Sequence, residues 1–381
     1  MAWLVPENML DDQQRQFVEN VDIDRQNIWI KGFPGSGKSV LLAYTMKKIK
    51  QRTPQAKVVM VVYTHALIAM FRAAFAEMGI AAIIITYPDF QKGYERYDYI
   101  LCDEVQDLKE EVLRSMYSRA KHVIVAGDEN QSIYEYTVQP SQIGFLLEAR
   151  NFDLQIIHRL SSSIIAAVEK FLPNLNIFSA KRDMTKSTTQ IRLCSSTSTR
   201  DEIKYIVREA EKAVNVGDTA AILIPTHDSI MAFIQEVLSN AGKNRWTVQL
   251  NRFGKVDYDL LNKYLDSQGI KMQYVGNKYG SFTGGTNKIC VMTYHSSKGL
   301  DFDNVFMPGL NQSLYITPNE SLNRVLFMVA MTRSRKNLYL THSGTRSAYL
   351  SNFAGECSKI NIHDALNGQN IKTNGNNIFG I

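Results

Sequence analysis

A glycine-rich segment, GFPGSGKS at residues 32–39, carries the side chains most suited to chemistry. It fits the pattern G-x-x-x-x-G-K-[ST] and stands between an apolar run typical of a strand and a helical run. Glycines let backbone N–H groups turn inward around phosphate oxygens, and the amino end of the following helix favours negative charge. Lys38 can reach the β and γ phosphates of a nucleoside triphosphate, and the Ser39 hydroxyl can ligate Mg²⁺. We therefore predict that a nucleoside triphosphate contacts Gly32, Gly35, Ser36, Gly37, Lys38 and Ser39.

Two acids follow a second apolar run, in YILCDEVQD at residues 99–107. Asp103 stands at the carboxyl end of the predicted strand, where it would hold Mg²⁺. Glu104 would orient and deprotonate the attacking water. The alternative, a solvated acidic turn, is disfavoured by the apolar strand before it. Together with the glycine-rich loop, these acids predict hydrolysis of a nucleoside triphosphate but not its use.

A third stretch, GDENQSIYEY at residues 127–136, follows the apolar run HVIVA. It places two acids, a glutamine and two tyrosines directly after a predicted strand. Aromatic rings can stack on nucleic-acid bases with about 1–3 kcal/mol per base, whatever the base. The alternative is that Tyr134 and Tyr136 only pack at a domain surface.

Apolar, β-rich runs alternate with longer helical runs along the whole chain, which predicts an α/β fold with mainly parallel sheets covered on both faces. The predicted strands are 27–31, 57–63, 81–85, 97–102 and 122–126, then 190–194, 219–224, 270–275, 288–293, 304–309 and 337–341. We expect one domain at 1–150, a second at 151–345 and a loosely held tail at 346–381, because the end is rich in Asn and Gly.

The composition sets limits on partners and location. The 381 residues include 43 Lys and Arg against 37 Asp and Glu, a net charge of +6 that is compatible with a nucleic-acid partner but does not itself indicate one. The four cysteines show no paired metal spacing, so we expect free thiols. Neither a signal peptide nor a membrane-spanning run is evident, which favours a cytoplasmic protein without a membrane partner.

Five motifs, GFPGSGKS, DEVQD, GDENQSIY, TYHSSKGLDF and VAMTRSR, resemble those of superfamily 1 helicases of the UvrD/Rep/PcrA type and occur in the same order. The resemblance extends from about Leu10 to Leu340. It implies two tandem RecA-like (P-loop NTPase) domains with an ATP cleft between them. It also implies ATP and Mg²⁺ as cofactors and single-stranded DNA as the partner, without separating DNA from RNA.

The resemblance assigns roles around the adenine and the γ-phosphate. Gln14, in LDDQQRQ, would read the adenine edge. His158 would stack on the adenine at a position where the family usually has tyrosine. Gln131 would sense the γ-phosphate.

Two arginine fingers are also implied, both from the second domain. Arg159 lies in IIHRLSSSI and Arg333 in VAMTRSR. Gly299 and Asp301 would lie near the nucleotide, although the family usually has glutamate at the latter position. Val40 stands where many relatives carry a basic residue after the loop.

Contacts with the DNA strand are implied for four motifs. The residues are Tyr63, Thr64, His65, Thr86, Tyr134, Tyr136 and His295. One segment, GDENQSIYEY, would then touch both nucleotide and strand and could couple them.

The chain is short for the two accessory subdomains that such helicases insert into their motor domains. We therefore expect an ATP-driven single-strand translocase, with 3′→5′ polarity and weak unwinding unless a protein partner helps. One alternative is a helicase-like ATPase switch in a larger defence or repair complex. Another is a P-loop kinase for a small molecule.

Overall fold

The computed structural model describes residues 4–128, 132–135, 137–173, 181–182, 188–276, 278–280 and 287–368. The chain divides into two compact units, of which the first runs to Leu160 and the second begins at Ser161. A short later segment around 181–182 also belongs to the first unit. The division falls ten residues beyond the expected boundary at 150, because residues 149–154 form a strand of the first unit's sheet.

The first unit alternates strands and helices as the apolar pattern predicts. Its strands are β1 (Asn27–Gly32), β2 (Val58–Val62), β3 (Ile83–Thr86), β4 (Tyr97–Cys102), β5 (Ala120–Gly127), β6 (Ala149–Leu154) and the short pair β7 (Ile156–Ile157) and β8 (Lys181–Arg182). Its helices are α1 (Asp12–Asn20), α2 (Lys38–Arg52), α3 (His65–Glu77), α4 (Tyr87–Lys92), α5 (Glu110–Arg119) and α6 (Pro140–Leu146).

The main sheet of the first unit is parallel, in the order β3-β2-β4-β5-β1-β6. Apolar clusters cover both of its faces, one built around α2 and α3 and the other around α5. The strand β2 is buried at every position. Since all strands run the same way, their carboxyl ends lie along one edge, which we call the carboxyl edge.

The second unit repeats this plan. Its strands are β9 (Gln190–Ser196), β10 (Ala220–Ile224), β11 (Met272–Tyr274), β12 (Ile289–Thr293), β13 (Phe302–Met307), β14 (Ser334–Ser343) and β15 (Ser358–Asn361). Its helices are α7 (Ser162–Phe171), α8 (Thr199–Asn215), α9 (His227–Asn240), α10 (Tyr258–Ser267), α11 (Glu320–Met331) and α12 (Ile362–Leu366). The sheet is parallel in the order β11-β12-β10-β13-β14-β9-β15, so the predicted α/β fold with two parallel sheets is confirmed.

Besides the short pair β7 and β8, two strands of the main sheets, β6 and β15, were not predicted, and both are edge strands. An edge strand is partly exposed and has a weaker apolar signal than a central strand. In β15 only Ile360 is buried, and it pairs with Cys194 of β9. The expectation of a tail from residue 346 is therefore corrected over 346–368, where the chain adds a strand and the buried Ile362 to the second unit.

The four cysteines are free and buried. Burial raises the pKa of the Cys194, Cys290 and Cys357 thiols to about 12. Among the helices of the described ranges, none is long and apolar enough to cross a membrane.

The contribution of the last strand can be measured. Ile362→Ala should lower the free energy of unfolding of the second unit by about 2–4 kcal/mol, because a fully buried side chain leaves a cavity. Lys359→Ala, at an exposed position of β15, is the matched control and should change it by less than about 0.5 kcal/mol. Urea denaturation measures both, and equal stabilities of the two variants would contradict the packing described here.

Candidate active site and strand-contacting residues

The glycine-rich loop lies between β1 and α2, at the carboxyl edge of the first sheet. Gly35 and Gly37 adopt the left-handed region, with φ of 76° and 92°. A Cβ on Gly35 would lie 2.3 Å from the Arg159 Cβ, and one on Gly37 would lie 2.3 Å from the Gln14 Nε2. Each of these two positions therefore requires glycine for two reasons, the backbone conformation and the lack of space for a Cβ.

Lys38 lies at the start of α2 and its ammonium group faces back into the loop. Its Nζ donates to the carbonyl oxygens of Gly32 at 2.8 Å and Phe33 at 3.0 Å. Burial lowers the pKa of Lys38, while the nearby Asp128 opposes that lowering more than any other acid. The lysine thus places its donors where a phosphate chain held by the loop would pass.

The loop offers groups that suit a phosphate. The Ser36 hydroxyl is buried, and no hydrogen-bond partner for it exists among the residues that the structure describes. Such a buried polar atom is costly unless a ligand or water satisfies it. With the left-handed glycines and the amino end of α2, it fits a bound phosphate group.

Ser39 and Asp103 bring two oxygens together for a cation. The Ser39 hydroxyl donates to the Asp103 Oδ2 at 2.7 Å. Burial, with a smaller contribution from the neighbouring Glu104, raises the pKa of Asp103 to about 7. Mg²⁺ in nucleotide sites uses one or two protein oxygens, with phosphate and water completing its shell, and this pair fits that role.

Glu104 follows directly, in a left-handed conformation with φ of 55°. Its Oε2 accepts a hydrogen bond from the Gln106 Nε2 at 2.6 Å. The Gln106 Oε1 in turn accepts from the backbone N–H of Asp128 at 3.2 Å. Sequence reasoning missed Gln106 and Asp128, both buried. The signal for Asp128 was available, because it directly follows β5, the strand between β4 and β1.

Helix α1 closes the other side of the loop. Asp11 caps this helix and exchanges hydrogen bonds with Gln14, whose Nε2 also donates to the Ser36 carbonyl at 3.1 Å. His158 bonds to the same Asp11 through its Nε2. The predicted adenine-contacting residues, Gln14 and His158, are thus brought together beside the loop.

Arg159 belongs to the first unit, not to the second as its predicted role as a finger implied. Its backbone N–H donates to the Gly35 carbonyl at 3.2 Å. Its charge lies close enough to Lys38 to help lower the pKa of the lysine. The reason for the misassignment is β6, which carries the first unit past residue 150.

The predicted strand-contacting residues of the first unit follow β2, β3 and β5 on the same edge. Tyr63 and Tyr134 stack with ring centroids 4.3 Å apart, and Tyr87 packs on Tyr63 at 4.8 Å. Burial raises the pKa of Tyr63 and of Tyr134, so both phenols stay neutral. Tyr87, which sequence reasoning did not assign, completes a cluster of three rings.

The other predicted contacts on this edge have local roles. Thr64 caps α3 by accepting from the Leu67 N–H at 3.3 Å, and His65 is the first residue of that helix. Thr86 is buried and donates to the Asp89 carboxylate at 2.7 Å. Gln131 and Tyr136 lie outside the described residues.

In the second unit, Gly299, Asp301 and Arg333 lie together at the amino ends of β13 and β14. The Arg333 guanidinium is buried and donates to the Val329 carbonyl at 2.7 Å, the Leu300 carbonyl at 3.3 Å and the Thr332 hydroxyl at 2.8 Å. Gly299 is left-handed, with φ of 81°. The role of Arg333 as a finger stays a prediction.

Asp301 lies close to a second arginine of the same motif. The Arg335 Nη1 is 3.8 Å from the Asp301 Oδ2, and both side chains are about one-quarter exposed. An ion pair of this length and exposure contributes little to stability. The carboxylate is therefore available to a polar ligand at modest cost.

His295 lies at the opposite, carboxyl edge of the second sheet, just after β12. Burial is the largest cause that lowers the pKa of His295 to about 4, and the charges of Lys298 and His227 contribute to that lowering. His227 follows β10 and its Nδ1 hydrogen-bonds to the Tyr258 hydroxyl at 2.8 Å. The imidazole of His295 is thus neutral at pH 7 and would meet a phosphate as a hydrogen-bond donor.

Comparisons with known proteins found a family match in each of the two units. Residues 14–137 match the family described as an AAA domain, and residues 270–345 match the UvrD-like helicase C-terminal domain. ATP-dependent DNA helicase Rep of Buchnera aphidicola subsp. Schizaphis graminum is 45% identical over 71 residues, covering 16% of this chain and 10% of that protein. A candidate ATP-dependent DNA helicase of Acanthamoeba polyphaga mimivirus is 24% identical over 277 residues, covering 68% of this chain and 35% of that protein.

Among solved structures, the arterivirus nonstructural protein 10 (helicase) matches with a TM-score of 0.43 and 14% identity, over 86% of this chain and 61% of that one.

The loop, the acids after β4 and the parallel sheet define a P-loop NTPase. Within these matched segments the chain is similar to an AAA domain and to the C-terminal domain of UvrD-like helicases. The chain spans about a third or less of the length of these two relatives.

The space beside Gly35 can be tested separately from its backbone strain. Gly35→Ala should weaken binding of a fluorescent ATP analogue at least 10-fold, because the new Cβ would displace Arg159 and the loop. Gly79→Ala is the matched control, since Gly79 also has a positive φ of 69° but no atom within 4 Å of the added Cβ. The control should lose about 1–2 kcal/mol of stability and keep nucleotide affinity. Equal affinities of the two variants would refute the close approach.

The buried His295 predicts an acid-sensitive second unit. Its pKa of about 4 lies below the unfolded value of 6.5, so the unfolded chain binds the proton first as pH falls. This contribution to stability is present above pH 6.5 and is lost as pH falls towards 4. Between pH 7.5 and pH 5 the wild type should lose about 2 kcal/mol more than His295→Gln. Urea unfolding at the two pH values measures this difference, and equal losses would mean that the imidazole is solvated.

Proposed function

We propose that the protein hydrolyses ATP to move along single-stranded DNA. The observation that carries this proposal is the shared edge of the first sheet. The phosphate loop and the acids follow β1 and β4, while the tyrosine cluster follows β2, β3 and β5. A nucleotide and a nucleic-acid strand bound at this edge would contact one rigid framework.

In this proposal the loop and its acids divide the work of hydrolysis. Lys38 neutralises charge that develops on the phosphates, and Ser39 with Asp103 holds Mg²⁺, which supplies electrostatic stabilisation when bound. Glu104 accepts the proton of the attacking water, and Gln106 holds that carboxylate in place. Gln14 and His158 bind the adenine beside α1.

The tyrosine cluster supplies the strand contact. Stacking of bases on aromatic rings tolerates any sequence, as a protein that moves along DNA requires. Coupling would pass through the segment after β5. Gln106 bonds the start of that segment at Asp128, and the neighbouring Asp107 bonds it again at Ile133, next to Tyr134. A shift at Glu104 on hydrolysis would thus reach the strand side through one short turn, Val105–Asp107.

Three finer parts of the proposal rest on the motifs and on chain length. The spelling of the motifs favours 3′→5′ movement. Unwinding without a partner is expected to be weak, because α3 ends at Glu77 and β3 begins at Ile83, which leaves no room for the first accessory subdomain of the family. A protein partner could supply duplex separation.

A second candidate function is an ATPase switch within a larger defence or repair complex. The internal hydrogen bonds of Arg333 favour it, because a guanidinium engaged in its own unit is not poised for rapid turnover. A switch would hydrolyse ATP slowly at one strand site, and its partner would change the rate.

The dependence of ATP turnover on strand length separates these functions. For a translocase the ATPase rate should rise with oligonucleotide length between about 10 and 60 nucleotides, because long strands allow more steps per binding event. A switch should reach its plateau at one site size. No stimulation by DNA or RNA of any length would contradict both functions and favour a small-molecule kinase.

Two variants serve as controls in the same assay. Lys38→Ala should abolish turnover. Glu104→Gln should bind ATP and DNA but lose at least 100-fold in hydrolysis, since the general base is gone. Normal turnover by Glu104→Gln would place the base elsewhere.

The polarity of movement is measured separately, with DNA that carries either a 3′ or a 5′ single-stranded tail.

A further inference from the structure

A β-hairpin projects from the second unit between α9 and α10, in a region to which no role was assigned. The N–H of Asp257 donates to the Gln249 carbonyl at 2.8 Å, and the N–H of Asn251 donates to the Lys255 carbonyl at 2.7 Å. Leu250 and Val256 form an antiparallel bridge. We call residues 249–257 the hairpin and residues 251–255 its tip.

The tip is held by side-chain hydrogen bonds. The Asn251 Oδ1 accepts from the N–H groups of Phe253 at 2.9 Å and Lys255 at 3.2 Å. The Asn251 Nδ2 donates to the Tyr279 hydroxyl at 2.9 Å. Gly254 supplies the left-handed residue of the turn, with φ of 70°. The tip therefore has a defined conformation rather than that of a loose loop.

The chain leading to the hairpin is anchored in the core. Trp246 is buried, and its backbone exchanges hydrogen bonds with the Gln235 side chain of α9 at 2.7 and 3.1 Å. At the far end, Asp257 caps α10 by accepting from the Asp259 and Leu260 N–H groups. Both ends of the segment are fixed, so what the segment exposes is a consequence of the fold.

Three large apolar side chains of the hairpin and of the chain that leads to it are exposed. Val248 is 50% exposed, Leu250 60% and Phe253 71%. An exposed aromatic ring at a hairpin tip gains nothing from the protein core. Clustered apolar exposure of this kind marks a surface that binds something.

Four cations lie in the hairpin or in the chain that leads to it, namely Lys243, Arg245, Arg252 and Lys255. The Arg252 guanidinium lies 4.8 Å from the centre of the Phe253 ring. None of the four makes an ion pair within 4.0 Å in the part of the chain that the structure describes. A surface that combines unpaired cations with exposed rings and aliphatic groups suits a polyanion that has flat apolar faces.

We propose that this hairpin binds a nucleic-acid strand, with Phe253 stacked on an unpaired base and the cations against its phosphates. The proposal rests on the proposed function and adds a contact to it. An acidic protein would pair with the cations but offers few flat apolar faces to the ring. Nucleic acid satisfies both features.

The position of the hairpin supports this partner. Tyr279, which bonds Asn251, packs on Tyr258 with centroids 5.6 Å apart, and Tyr258 stacks on Tyr274 at 3.7 Å. Tyr274 is the last residue of β11. The hairpin is therefore attached to the carboxyl edge of the second sheet, on which His295 also lies, and would extend a strand-binding face along that edge.

Phe253→Ala tests the stacking, and binding of a fluorescein-labelled 30-nucleotide oligo(dT) is measured by anisotropy. The dissociation constant should rise about 5-fold or more, which corresponds to the lower limit of base stacking. Phe253→Trp should keep the affinity, and its emission should be quenched when oligo(dT) binds. Phe145→Ala, at another exposed phenylalanine, 81% exposed and on α6, is the matched control and should leave the affinity unchanged.

The double variant Arg252→Ala/Lys255→Ala tests the charges. The slope of log affinity against log salt should become shallower by about 1.4, since each phosphate contact on a single strand contributes about 0.7. Lys204→Ala/Lys359→Ala, which removes two exposed lysines elsewhere on the second unit, is the matched control and should weaken binding less. When these two substitutions are added to Phe253→Trp, oligo(dT) should quench the tryptophan emission as it does in Phe253→Trp alone.

The outcomes separate this proposal from the proposed function. If the wild type binds oligo(dT) and its ATPase responds, but Phe253→Ala binds equally well and Phe253→Trp is not quenched, the hairpin proposal is overturned and the motor remains. If Phe253→Ala keeps its affinity for oligo(dT) but loses affinity for an acidic protein that the wild type binds, the surface is assigned to a protein partner. If the wild type binds neither DNA nor RNA, the proposed function fails as well.

Discussion

Two left-handed glycines constrain the whole nucleotide site. Gly35 and Gly37 let the backbone turn its N–H groups inward, and each also admits a neighbour that any larger residue would exclude. Arg159 packs against the first and Gln14 against the second. In this way a helix near the amino terminus and a segment some 120 residues past the loop are both held to it. The predicted site residues of the first unit thus converge on this loop.

The parallel sheets then sort the remaining residues by function. In the first unit, β1 and β4 lead into the glycine-rich loop and the acids, and β2 and β3 lead into the tyrosine cluster, while β5 is followed by Asp128 near the acids and by Tyr134 of the cluster. In the second unit the division is between edges, with Arg333 at the amino ends of β13 and β14 and His295 after the carboxyl end of β12. The direction of the strands therefore determines at which edge of its sheet each motif lies.

Sequence reasoning recovered the central strands and the position of the glycine-rich loop between β1 and α2, with Asp103 at the end of β4, because these carry strong local patterns. The binding of nucleotide and metal at these residues stays a prediction. It missed the edge strands β6 and β15, whose polar exposed faces hide them, and this shifted the boundary and misplaced Arg159. Tyr87 and Gln106 escaped because their roles come from neighbours distant in sequence. Tertiary contacts, not motif spelling, determined each of these positions.

Glu104 and Arg333 have opposite relations to folding. A glutamate with φ of 55° is held in a conformation that favours glycine or asparagine, at a cost on the order of 1 kcal/mol. Arg333, by contrast, satisfies three acceptors inside its own unit and helps that unit to fold. In a descendant without the proposed hydrolysis, the arginine would persist for architectural reasons while the glutamate would be free to drift. Retention of the acid, rather than of the arginine, is therefore the better signature of a working enzyme.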